Sequence, residues 1–326
     1  MAPKIFKTLL EHVGNTPLVR LEFGTIPTLL AKLEFLNPGG SIKDRAALHM
    51  ITEAERTGKL KPGGTIVEAT SGNQGIAVAM IGALKGYKVI ITVPDRTAPE
   101  KIAILRAYGA DVYVCPNTDT HEDPRGYHAM AETLLHEIPN SFMPNQYYNK
   151  ENARAHYLST GPEIWEQTGG QITHFIAGAG TCGTISGVGK YLKEKKPDIK
   201  IIGVDAATSF YSSKEPKAYM SEGIGIDVIS EVFDQTVVDE IITVTDEQAF
   251  SMTRKLAKDN GLLVGISSGA VMSIALEYSK KLKPDDIVVV ILADSGKNYL
   301  SKVFMNTQEL TSSVNKKTFA KKRELL

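Results

Sequence analysis

Short apolar runs bounded by glycine, proline or aspartate alternate along the chain with longer stretches in which apolar residues recur every three or four positions. The short runs predict β-strands, and the longer periodic stretches predict α-helices. The predicted strands are Leu29–Glu34, Thr65–Glu68, Lys88–Val93, Asp111–Val114, Thr173–Ala177, Lys200–Val204 and Ile287–Leu292. The predicted helices are Asn73–Leu84, Pro99–Tyr108, Tyr127–Glu137, Asn152–Glu166, Thr184–Lys195, Asp246–Asn260 and Ser268–Lys281. This alternation favours an α/β fold in which a mostly parallel sheet is covered by helices on both faces.

The chain is long enough to form two lobes. Its 326 residues exceed the length of one ordinary domain. The polar stretches Asn117–Arg125 and Lys214–Ser221 predict surface loops. The basic stretch KKTFAKKRELL at the end of the chain predicts a solvated C-terminal tail.

Composition and charge exclude several classes of protein. Lysine and arginine together number 37, as do aspartate and glutamate, so the formal net charge is zero. Binding to nucleic acid phosphates needs a positive excess, so no nucleic-acid partner is expected. The apolar stretch Ile76–Leu84 is far shorter than the roughly 20 residues that cross a bilayer, so no membrane partner is expected either. The first residues lack the apolar core of a secretory signal.

Cysteine and histidine content argues against a disulfide scaffold and against a metal site. The two cysteines, Cys115 and Cys182, are too few for a disulfide framework or a cysteine-rich zinc site. The seven histidines show no ligand spacing, since His128 and His136 lie eight apart and the HExxH pattern is absent. We therefore expect a cytoplasmic protein without a bound metal.

Four segments rich in glycine, serine or threonine follow predicted strands and precede helices, at the sheet edge where α/β proteins bind ligands. The first is NPGGSIKDR, Asn37–Arg45, in which Lys43 opens a helix. A lysine there opposes the helix dipole, so one interpretation is a solvated first-turn residue after a Ser41 cap. The other is a partly desolvated lysine whose lowered pKa favours the free amine that forms Schiff bases.

The second segment, EATSGNQGIAVA at Glu68–Ala79, runs from a strand into a helix. Thr70, Ser71 and Asn73 offer hydroxyl and amide groups beside the free N–H groups of a helix N-terminus. This pattern suits the binding of a small carboxylate. An ordinary capping turn is the alternative interpretation.

The third segment, GAGTCGTISG at Gly178–Gly187, predicts an anion cradle, because its glycines let the backbone approach a phosphate and the following helix adds its dipole. The same glycines satisfy GxGxxG, and Asp205 ends the next strand at roughly the spacing of a dinucleotide-binding fingerprint. An NAD-dependent oxidoreductase is therefore an alternative. Such a fingerprint ordinarily lies in the leading βαβ unit, and this interpretation leaves the first two segments without a task.

The fourth segment is GISSGA, Gly265–Ala270, followed by LADSGKNYLS. Ser267 is either a helix-start residue or a neutral hydroxyl that faces a pyridine nitrogen. A hydroxyl in that place would leave the nitrogen unprotonated and weaken the ring as an electron sink. The residue type at this position therefore bears on the type of reaction.

Taken together, these segments resemble the fold-type II pyridoxal phosphate enzymes, in the cysteine synthase and cystathionine β-synthase branch. The likeness runs through GNTPLVRL, AKLEFLNPGGSIKDR, EATSGNQG, NQYYN, GAGTCGTISG, EGIGID, GLLVGISSGA and DSGKNYLSK. It implies a homodimer with a two-lobed, tryptophan synthase β-like fold of twisted, mostly parallel sheets. Residues 1–45 and 147–310 would form the large cofactor-binding domain, residues 46–146 a smaller mobile domain, and residues 311–326 the tail.

The resemblance implies a role for each motif residue. Lys43 would form the imine with pyridoxal 5′-phosphate and act as the catalytic base, Asn73 would bind the ring hydroxyl oxygen, and Ser267 would face the pyridine nitrogen. The residues implied for the cofactor phosphate are Gly180, Thr181, Cys182, Gly183 and Thr184. The residues implied for the substrate are Thr70, Ser71, Gly72, Gln74, Gln146 and Gly223.

The implied reaction is a β-replacement on L-serine or O-acetyl-L-serine through an aminoacrylate, with a thiol or sulfide as the nucleophile. The stretches IPNSFMPNQYYNKENARAHY and DSGKNYLSK look more like the catalytic core of cystathionine β-synthase, which favours serine with homocysteine. A cysteine synthase that uses O-acetylserine and sulfide is one alternative. A non-catalytic relative that binds another protein is a second.

Three positions depart from the family pattern. Gln74 stands where threonine is common, and this difference affects how the substrate carboxylate is bound. Cys182 replaces a glycine of the phosphate loop. Ile226 stands where cystathionine β-synthases often have tyrosine, and the neighbouring Asp227 is placed to influence water or the incoming nucleophile. These departures leave the second substrate open.

Overall fold

The strands and helices follow the predicted order in a computed structural model, which describes residues 5–116, 118 and 123–305. Strands β1 to β10 are Leu18–Arg20, Thr28–Leu33, Thr65–Ala69, Lys88–Pro94, Asp111–Cys115, Ser141–Phe142, His174–Gly178, Lys200–Ala206, Glu240–Val244 and Ile287–Leu292. Helices α1 to α9 are Lys43–Arg56, Asn73–Lys85, Pro99–Ala107, Tyr127–Glu137, Glu151–Leu158, Thr160–Gln167, Gly183–Lys195, Asp246–Asn260 and Ile266–Ser279. Part of the predicted loop Asn117–Arg125 and the whole predicted tail lie outside the described residues.

The described strands form two sheets. Six strands lie in the order β1-β2-β10-β7-β8-β9 and are parallel except where β1 pairs with β2. Four strands, all parallel, lie in the order β5-β4-β3-β6. The predicted α/β class, with mostly parallel sheets covered by helices, is confirmed.

Helices cover both faces of the larger sheet, which explains why its central strands read as continuous apolar runs. On one face, Phe250 of α8 and Met272 of α9 belong to the cluster that contains Val290 of β10. On the other face, Ile185 of α7 belongs to the cluster that contains Ile291 of the same strand. Adjacent residues of β10 thus fill two different cores, as the alternation of side chains along a strand requires.

The prediction of one helix over Asn152–Glu166 is wrong, because the structure contains two helices, α5 and α6, with a break at Ser159. Pro162 lies in the first turn of α6, and it has no N–H to continue the hydrogen bonding of α5. The adjacent Gly161 packs against Tyr191, where a Cβ would lie 2.8 Å from the Tyr191 Cβ. The break therefore lets the chain approach α7 closely.

The hydrophobic pattern does not predict strands β1, β6 and β9. Each lies at the edge of its sheet, and most of its side chains are partly or fully exposed. Burial on one face is what imposes a readable alternation on a strand. These edge strands are therefore fixed by pairing with a neighbour and not by their own pattern.

Three further observations concern the described part of the chain. No helix there is both long and apolar enough to cross a bilayer. No group of three or more histidine, cysteine, aspartate or glutamate side chains within these residues is arranged to hold a metal ion. Both cysteines are buried and unpaired.

Candidate active site

A cavity lies at the carboxyl ends of β7 and β10, beside the first residues of α1, α2, α7 and α9. This edge of a parallel sheet collects helix N-termini, whose first N–H groups have no partner within the helix. The cavity brings together the predicted residues Lys43, Asn73, Gly180–Thr184, Gly223 and Ser267. Its other lining residues are Ile42, Ala177, Gly178, Val271, Ile291, Ala293 and Asp294.

Lys43 is the first residue of α1, as predicted, and its side chain is half-buried. Its Nζ lies 3.3 Å from Thr181 Oγ1 of the glycine-rich loop. The helix start is held at the end of β10, since Ile42 N donates to Ala293 O at 2.8 Å. Burial lowers the pKa of Lys43 to about 8, against smaller opposing effects of one thiol and two carboxyl groups. Roughly one tenth of the amine is then unprotonated at pH 7, far more than for an ordinary lysine, which favours the Schiff-base interpretation over the solvated one.

A buried network of four charged side chains lies behind Lys43. Arg45 Nε and Nη2 donate to the Glu34 carboxylate at 2.7 and 2.8 Å, and Arg45 Nη1 donates to Glu163 Oε1 at 2.6 Å. Lys32 Nζ donates to Glu163 Oε2 at 2.6 Å. Two cations face two carboxylates, so the buried charges balance, and the paired hydrogen bonds fix the direction of the guanidinium. Because Arg45 lies two residues after Lys43, the network holds the first turn of α1 in place.

The loop Gly180–Thr184, for which the sequence predicts an anion cradle, connects β7 to α7. The backbone N–H groups of Thr181 and Cys182 have no protein acceptor within the described residues. The N-terminus of α7 adds positive partial charge. A Cβ on Gly183 would lie 2.2 Å from Asn152 Oδ1, so only glycine lets the loop pack this closely. The loop is therefore suited to an anion such as a phosphate.

Cys182 adopts a left-handed backbone conformation, with a φ of 62°, which ordinarily favours glycine. Its side chain is buried in an apolar cluster with Ala179 and Ile185. Sγ lies 3.6 Å from Gly180 O, and burial raises the pKa of the thiol to about 12. The thiol is thus kept protonated, and apolar packing accommodates the departure from the family glycine.

Asn73 begins α2 and faces Asp294, which lies just beyond the end of β10. Asn73 Nδ2 and Tyr299 OH both donate to Asp294 Oδ2 at 2.6 Å. Asn298 Nδ2 donates to Asn73 Oδ1 at 3.0 Å. Burial raises the pKa of the Asp294 carboxyl, and its Oδ1 is buried without a hydrogen-bond partner. This network fixes Asn73 at the cavity and leaves one carboxyl oxygen beside it unpaired.

The predicted substrate residues other than Gly223 lie beside the cavity and do not line it. Four of them surround the start of α2, where Gly72 N donates to Thr70 Oγ1 at 3.1 Å and no side chain caps the helix. Both polar atoms of the Gln74 amide, and Oε1 of Gln146, are buried without partners. An unpaired buried polar group costs about 1–3 kcal/mol. These amides are therefore suited to partners that arrive with a ligand.

The model of one protein family, described as pyridoxal-phosphate dependent enzyme, matches residues 9–294 of the chain. That range contains both sheets and all the predicted site residues. The chain belongs to this family. The resemblance identified from the motifs is confirmed, as is the predicted cofactor, pyridoxal 5′-phosphate.

Individual relatives of this pyridoxal phosphate enzyme lie in the cysteine synthase and cystathionine β-synthase branch. Cystathionine beta-synthase of Rattus norvegicus is 43% identical over an alignment of 333 positions, which covers 99% of this chain and 59% of that protein. A probable cysteine synthase of Bacillus subtilis is 44% identical over an alignment of 305 positions, which covers 91% of this chain and 97% of that protein. The structure of O-acetylserine dependent cystathionine beta-synthase from Helicobacter pylori has a TM-score of 0.86 at 39% identity, covering 93% of this chain and 100% of that one. The chain therefore spans about three fifths of the rat protein and nearly all of the bacterial ones.

Pyridoxal phosphate fits the groups that the site presents. The unpaired N–H groups of the loop Gly180–Thr184 match its phosphate, and the amine of Lys43 matches its aldehyde. Ser267 lines the cavity, and its hydroxyl has no protein partner in the part of the chain that the structure describes. The facing Gly223 has a φ of 86°, and a Cβ there would lie 3.1 Å from Ser267 Oγ. Glycine at this position keeps the space beside the hydroxyl open.

The alternative of a dinucleotide-binding fingerprint conflicts with the surroundings of Asp205. This carboxylate is fully buried and accepts hydrogen bonds from Ser209 Oγ at 2.5 Å and from the backbone N–H of Ile226 at 3.0 Å. It also accepts from Ser212 Oγ. Asp205 therefore has no free oxygen for a ribose hydroxyl, and its task is to hold the segment around residue 226 against the end of β8.

Several residues of the site were not identified from the sequence: Asp294, Asn152, Arg45 and Glu68. Asp294 follows the apolar run of β10 directly, and a carboxylate in that place is a signal for the ligand-binding edge of a parallel sheet. Asn152 lies in the first turn of α5, with no pattern to mark it. Its contact with Gly183 joins segments about thirty residues apart.

Proposed function

We propose that this protein is a pyridoxal phosphate-dependent β-replacement enzyme that acts on L-serine or O-acetyl-L-serine with a thiol or sulfide nucleophile. The observation that carries the proposal is the placement of a half-buried lysine amine with a lowered pKa 3.3 Å from the anion cradle. A second helix N-terminus with unpaired amides lies beside it and suits the carboxylate of an amino acid. The pairing of serine with homocysteine, as in cystathionine β-synthase, remains the preferred substrate pair.

In this proposal each residue that is predicted to bind the cofactor has its own role. The loop Gly180–Thr184 would bind the phosphate, and Lys43 would form the covalent link. Ser267 would place a neutral hydroxyl at the pyridine nitrogen, and Asn73 would donate to the ring oxygen. When bound, pyridoxal phosphate supplies an electron sink for charge that develops at the substrate Cα.

The proton transfers in this proposal belong to Lys43. Once displaced by the substrate amine, the neutral Lys43 Nζ takes the proton from Cα and becomes an ammonium. With serine it would give this proton to the hydroxide that leaves Cβ as water, and the proton of the thiol nucleophile would then return through Lys43 to Cα. With O-acetylserine the acetate would leave as the anion, and Lys43 would keep its proton until it returns it to Cα. The lowered pKa suits both steps, because the group can lose and regain a proton near neutral pH.

The substrate carboxylate would be bound at the start of α2. The N–H groups of this uncapped helix carry positive partial charge, and Thr70 and Ser71 add hydroxyl donors. Gln74 and Gln146 would add amide donors, and Gly223 would border the substrate from the larger sheet. Binding energy at this end of the substrate orients Cα toward Lys43.

The identity of the donor is the least constrained part of the proposal. The relatives include enzymes named for cystathionine synthesis, for cysteine synthesis and, in Bacillus subtilis, for O-acetylserine dependent cystathionine synthesis. Ile226 is buried, and Asp227 accepts from Tyr219 OH at 2.5 Å and from the backbone N–H of Phe210 at 3.3 Å. In this proposal Asp227 would influence the incoming nucleophile only indirectly, through this hydrogen-bonded loop.

A matrix of donors and nucleophiles tests the proposal. Purified protein is mixed with serine or O-acetylserine, each with homocysteine, cysteine or sulfide, and the products are separated by chromatography. We expect a change in the visible absorption of the bound cofactor with an active donor alone, followed by cystathionine formation with homocysteine. A response to O-acetylserine but not to serine would overturn the preferred pair. No turnover with any pair, despite bound cofactor, would favour a non-catalytic binding protein.

Three properties of the whole molecule belong to the same proposal. The smaller mobile domain would be residues 46–146, which contain the four-stranded sheet, and the larger domain residues 1–45 and 147–310. The protein would be a homodimer, which light scattering during gel filtration measures directly. It would reside in the cytoplasm, and its two buried unpaired cysteines are consistent with a reducing compartment.

A further inference from the structure

Glu68 is a buried carboxyl group near the carboxyl end of β3, two residues before Thr70. Only 1% of the residue is exposed, and its partner in the sheet register is the apolar Ile91 of β4. Burial raises the pKa of Glu68 to about 7, against smaller opposing effects of backbone hydrogen bonds and of Lys43. An apolar residue would avoid the cost of burying a carboxyl at this position. Core packing therefore does not explain why a carboxyl group, and not an apolar side chain, occupies this position.

The hydrogen bond of Glu68 goes to a turn on the far side of the sheet edge. Glu68 Oε2 accepts from the backbone N–H of Asn145 at 3.1 Å. Asn145 has a φ of 51°, in the left-handed region that few residues other than glycine adopt. Its carbonyl oxygen accepts from the N–H groups of Tyr148 and Asn149 at 3.1 and 3.0 Å. The carboxyl group thus holds the first residue of a tight turn.

Gln146 is the next residue of this turn, and it is held from the other side as well. Asn152 Nδ2 donates to Gln146 O at 2.8 Å and lies 3.3 Å from Thr181 Oγ1. Lys43 Nζ lies 3.3 Å from the same hydroxyl oxygen. The backbone of Gln146 is therefore tied on one side to the smaller sheet, through Glu68, and on the other side to the phosphate loop and the lysine.

The side chain of Gln146 has no comparable ties. Its Oε1 is buried without a partner, and its Nε2 donates no hydrogen bond to another group within the described residues. Fixing the backbone on both sides limits the directions in which this amide can point. An amide held in this way can donate to a carboxylate without first being ordered, which saves the entropy of immobilising it.

We propose that Glu68 is a positioning residue for substrate binding, whose carboxyl group holds the Asn145 turn so that the Gln146 amide meets the carboxylate of the amino-acid donor. This assignment rests on the proposed function, in which Gln146 binds that carboxylate. Glu68 itself touches neither the substrate nor the cofactor in this scheme. Its effect is transmitted through the backbone N–H groups of this turn.

Two substitutions separate the hydrogen bond from the volume of the side chain. Glu68→Met keeps a similar length and removes the acceptor, whereas Glu68→Gln keeps a carbonyl oxygen for Asn145 N–H. We expect Glu68→Met to raise KM for the donor about tenfold, with kcat reduced less than threefold or so. Glu68→Gln should restore KM to within about threefold of the parent protein, because the acceptor is retained.

The coupling to Gln146 is measured with a double-mutant cycle. Gln146→Ala should raise the donor KM by a similar factor, and the double variant Glu68→Met with Gln146→Ala should be no worse than the single ones. A matched control is Glu55→Gln, because Glu55 accepts from Lys85 Nζ and Tyr87 OH at 2.7 and 2.8 Å, away from the cavity. This control should leave the donor KM unchanged.

The outcomes distinguish this inference from the proposed function. Cofactor content and thermal melting are measured for every variant, so that a loss of folding is recognised separately. If Gln146→Ala raises KM but Glu68→Met does not, or if the two effects simply multiply, the positioning role of Glu68 is wrong. If neither serine nor O-acetylserine changes the visible absorption of the cofactor bound to the parent protein, the proposed function itself fails.

Discussion

The two helix N-termini at the active site differ in how tightly they are built. The start of α7, at Thr181 and Cys182, is buried, and a Cβ on Gly183 would collide with Asn152 at 2.2 Å. The start of α2 is half-exposed, and a Cβ on Gly72 would meet nothing nearer than Thr70 Oγ1 at 3.9 Å. A closely packed site suits a group that stays bound through many turnovers. A site with open space and unpaired amides suits a group that enters and leaves in each one.

The contacts between the smaller sheet's helix α3 and the larger sheet's side of the site are polar. Helix α3 belongs to the smaller sheet, and its Lys101 forms a buried ion pair with Glu222, next to Gly223 of the cavity. Lys101 Nζ also lies 4.3 Å from the centre of the Tyr299 ring. Glu100 accepts from Ser301 Oγ at 2.7 Å. These contacts connect the substrate side to the cofactor side through polar side chains, which are easier to separate and remake than an apolar interface.

The largest loss of activity is expected from removing the Lys43 amine, which serves both the cofactor and the substrate. Lys43→Ala should lower kcat by about 10³-fold and abolish the covalently bound yellow form. Spectroscopy after gel filtration measures the bound form, and stopped assays measure turnover. Lys43→Arg is the control that keeps the positive charge and the stem but lacks a free amine at neutral pH. Appreciable turnover by either variant would contradict the proposed role.

The packing difference between the two N-termini predicts unequal effects of the same substitution. Gly183→Ala should weaken cofactor binding about 10- to 100-fold, since the added methyl group collides with Asn152. Gly72→Ala should change cofactor affinity less than about threefold, because its surroundings are open and its φ of −127° suits alanine. Titration of the cofactor-free variants with pyridoxal phosphate measures both. Equal losses would show that the two sites are packed alike.

The ion pair between α3 and the larger sheet should affect the substrate side alone. Lys101→Met should raise the donor KM about five- to tenfold and leave the cofactor affinity unchanged, because Glu222 keeps its second partner, Lys302, at 2.9 Å. The control is Lys85→Met, which removes the ion pair between Lys85 of α2 and Glu55 of α1. Both helices pack against the smaller sheet. Weaker cofactor binding in Lys101→Met would mean that the pair supports both ligands.

The pH dependence of cofactor binding tests whether the pKa of Lys43 is lowered. Only the unprotonated amine of Lys43 reacts with an aldehyde, and a pKa of about 8 leaves roughly one tenth of it free at pH 7 and half at pH 8. The rate at which the cofactor-free protein gains visible absorption should therefore rise about fivefold between these values and level off above pH 9 or so. A rate that keeps rising tenfold per pH unit up to pH 10 would indicate an ordinary, solvated lysine.

The sequence predicts the buried strands and the motif residues because each leaves a local signal. Strand Ile287–Leu292 and helices Tyr127–Glu137 and Asp246–Asn260 have the predicted bounds. The strand is a continuous apolar run because it is buried on both faces, and apolar residues recur with the helical period in the two helices. Lys43 and Asn73 are identified through the glycine-rich turns that precede their helices. Their positions at one cavity then follow from the topology of parallel sheets.

The remaining parts depend on contacts between distant segments, which no local pattern reveals. Asp294 bonds to Asn73 across 221 positions, and Glu68 bonds to Asn145 across 77. The break at Ser159 depends on how closely Gly161 approaches Tyr191. Each is decided by tertiary packing, where one carboxylate or glycine is chemically no different from many others in the chain.

The network of Arg45, Glu34, Glu163 and Lys32 consists of protein groups alone, and its charges are balanced without any help from a cofactor. The foundation of the catalytic helix is thus complete as soon as the chain has folded. A newly synthesised molecule should consequently fold first and bind its cofactor afterwards. When the cofactor is scarce, the protein should stay folded without it and bind it later.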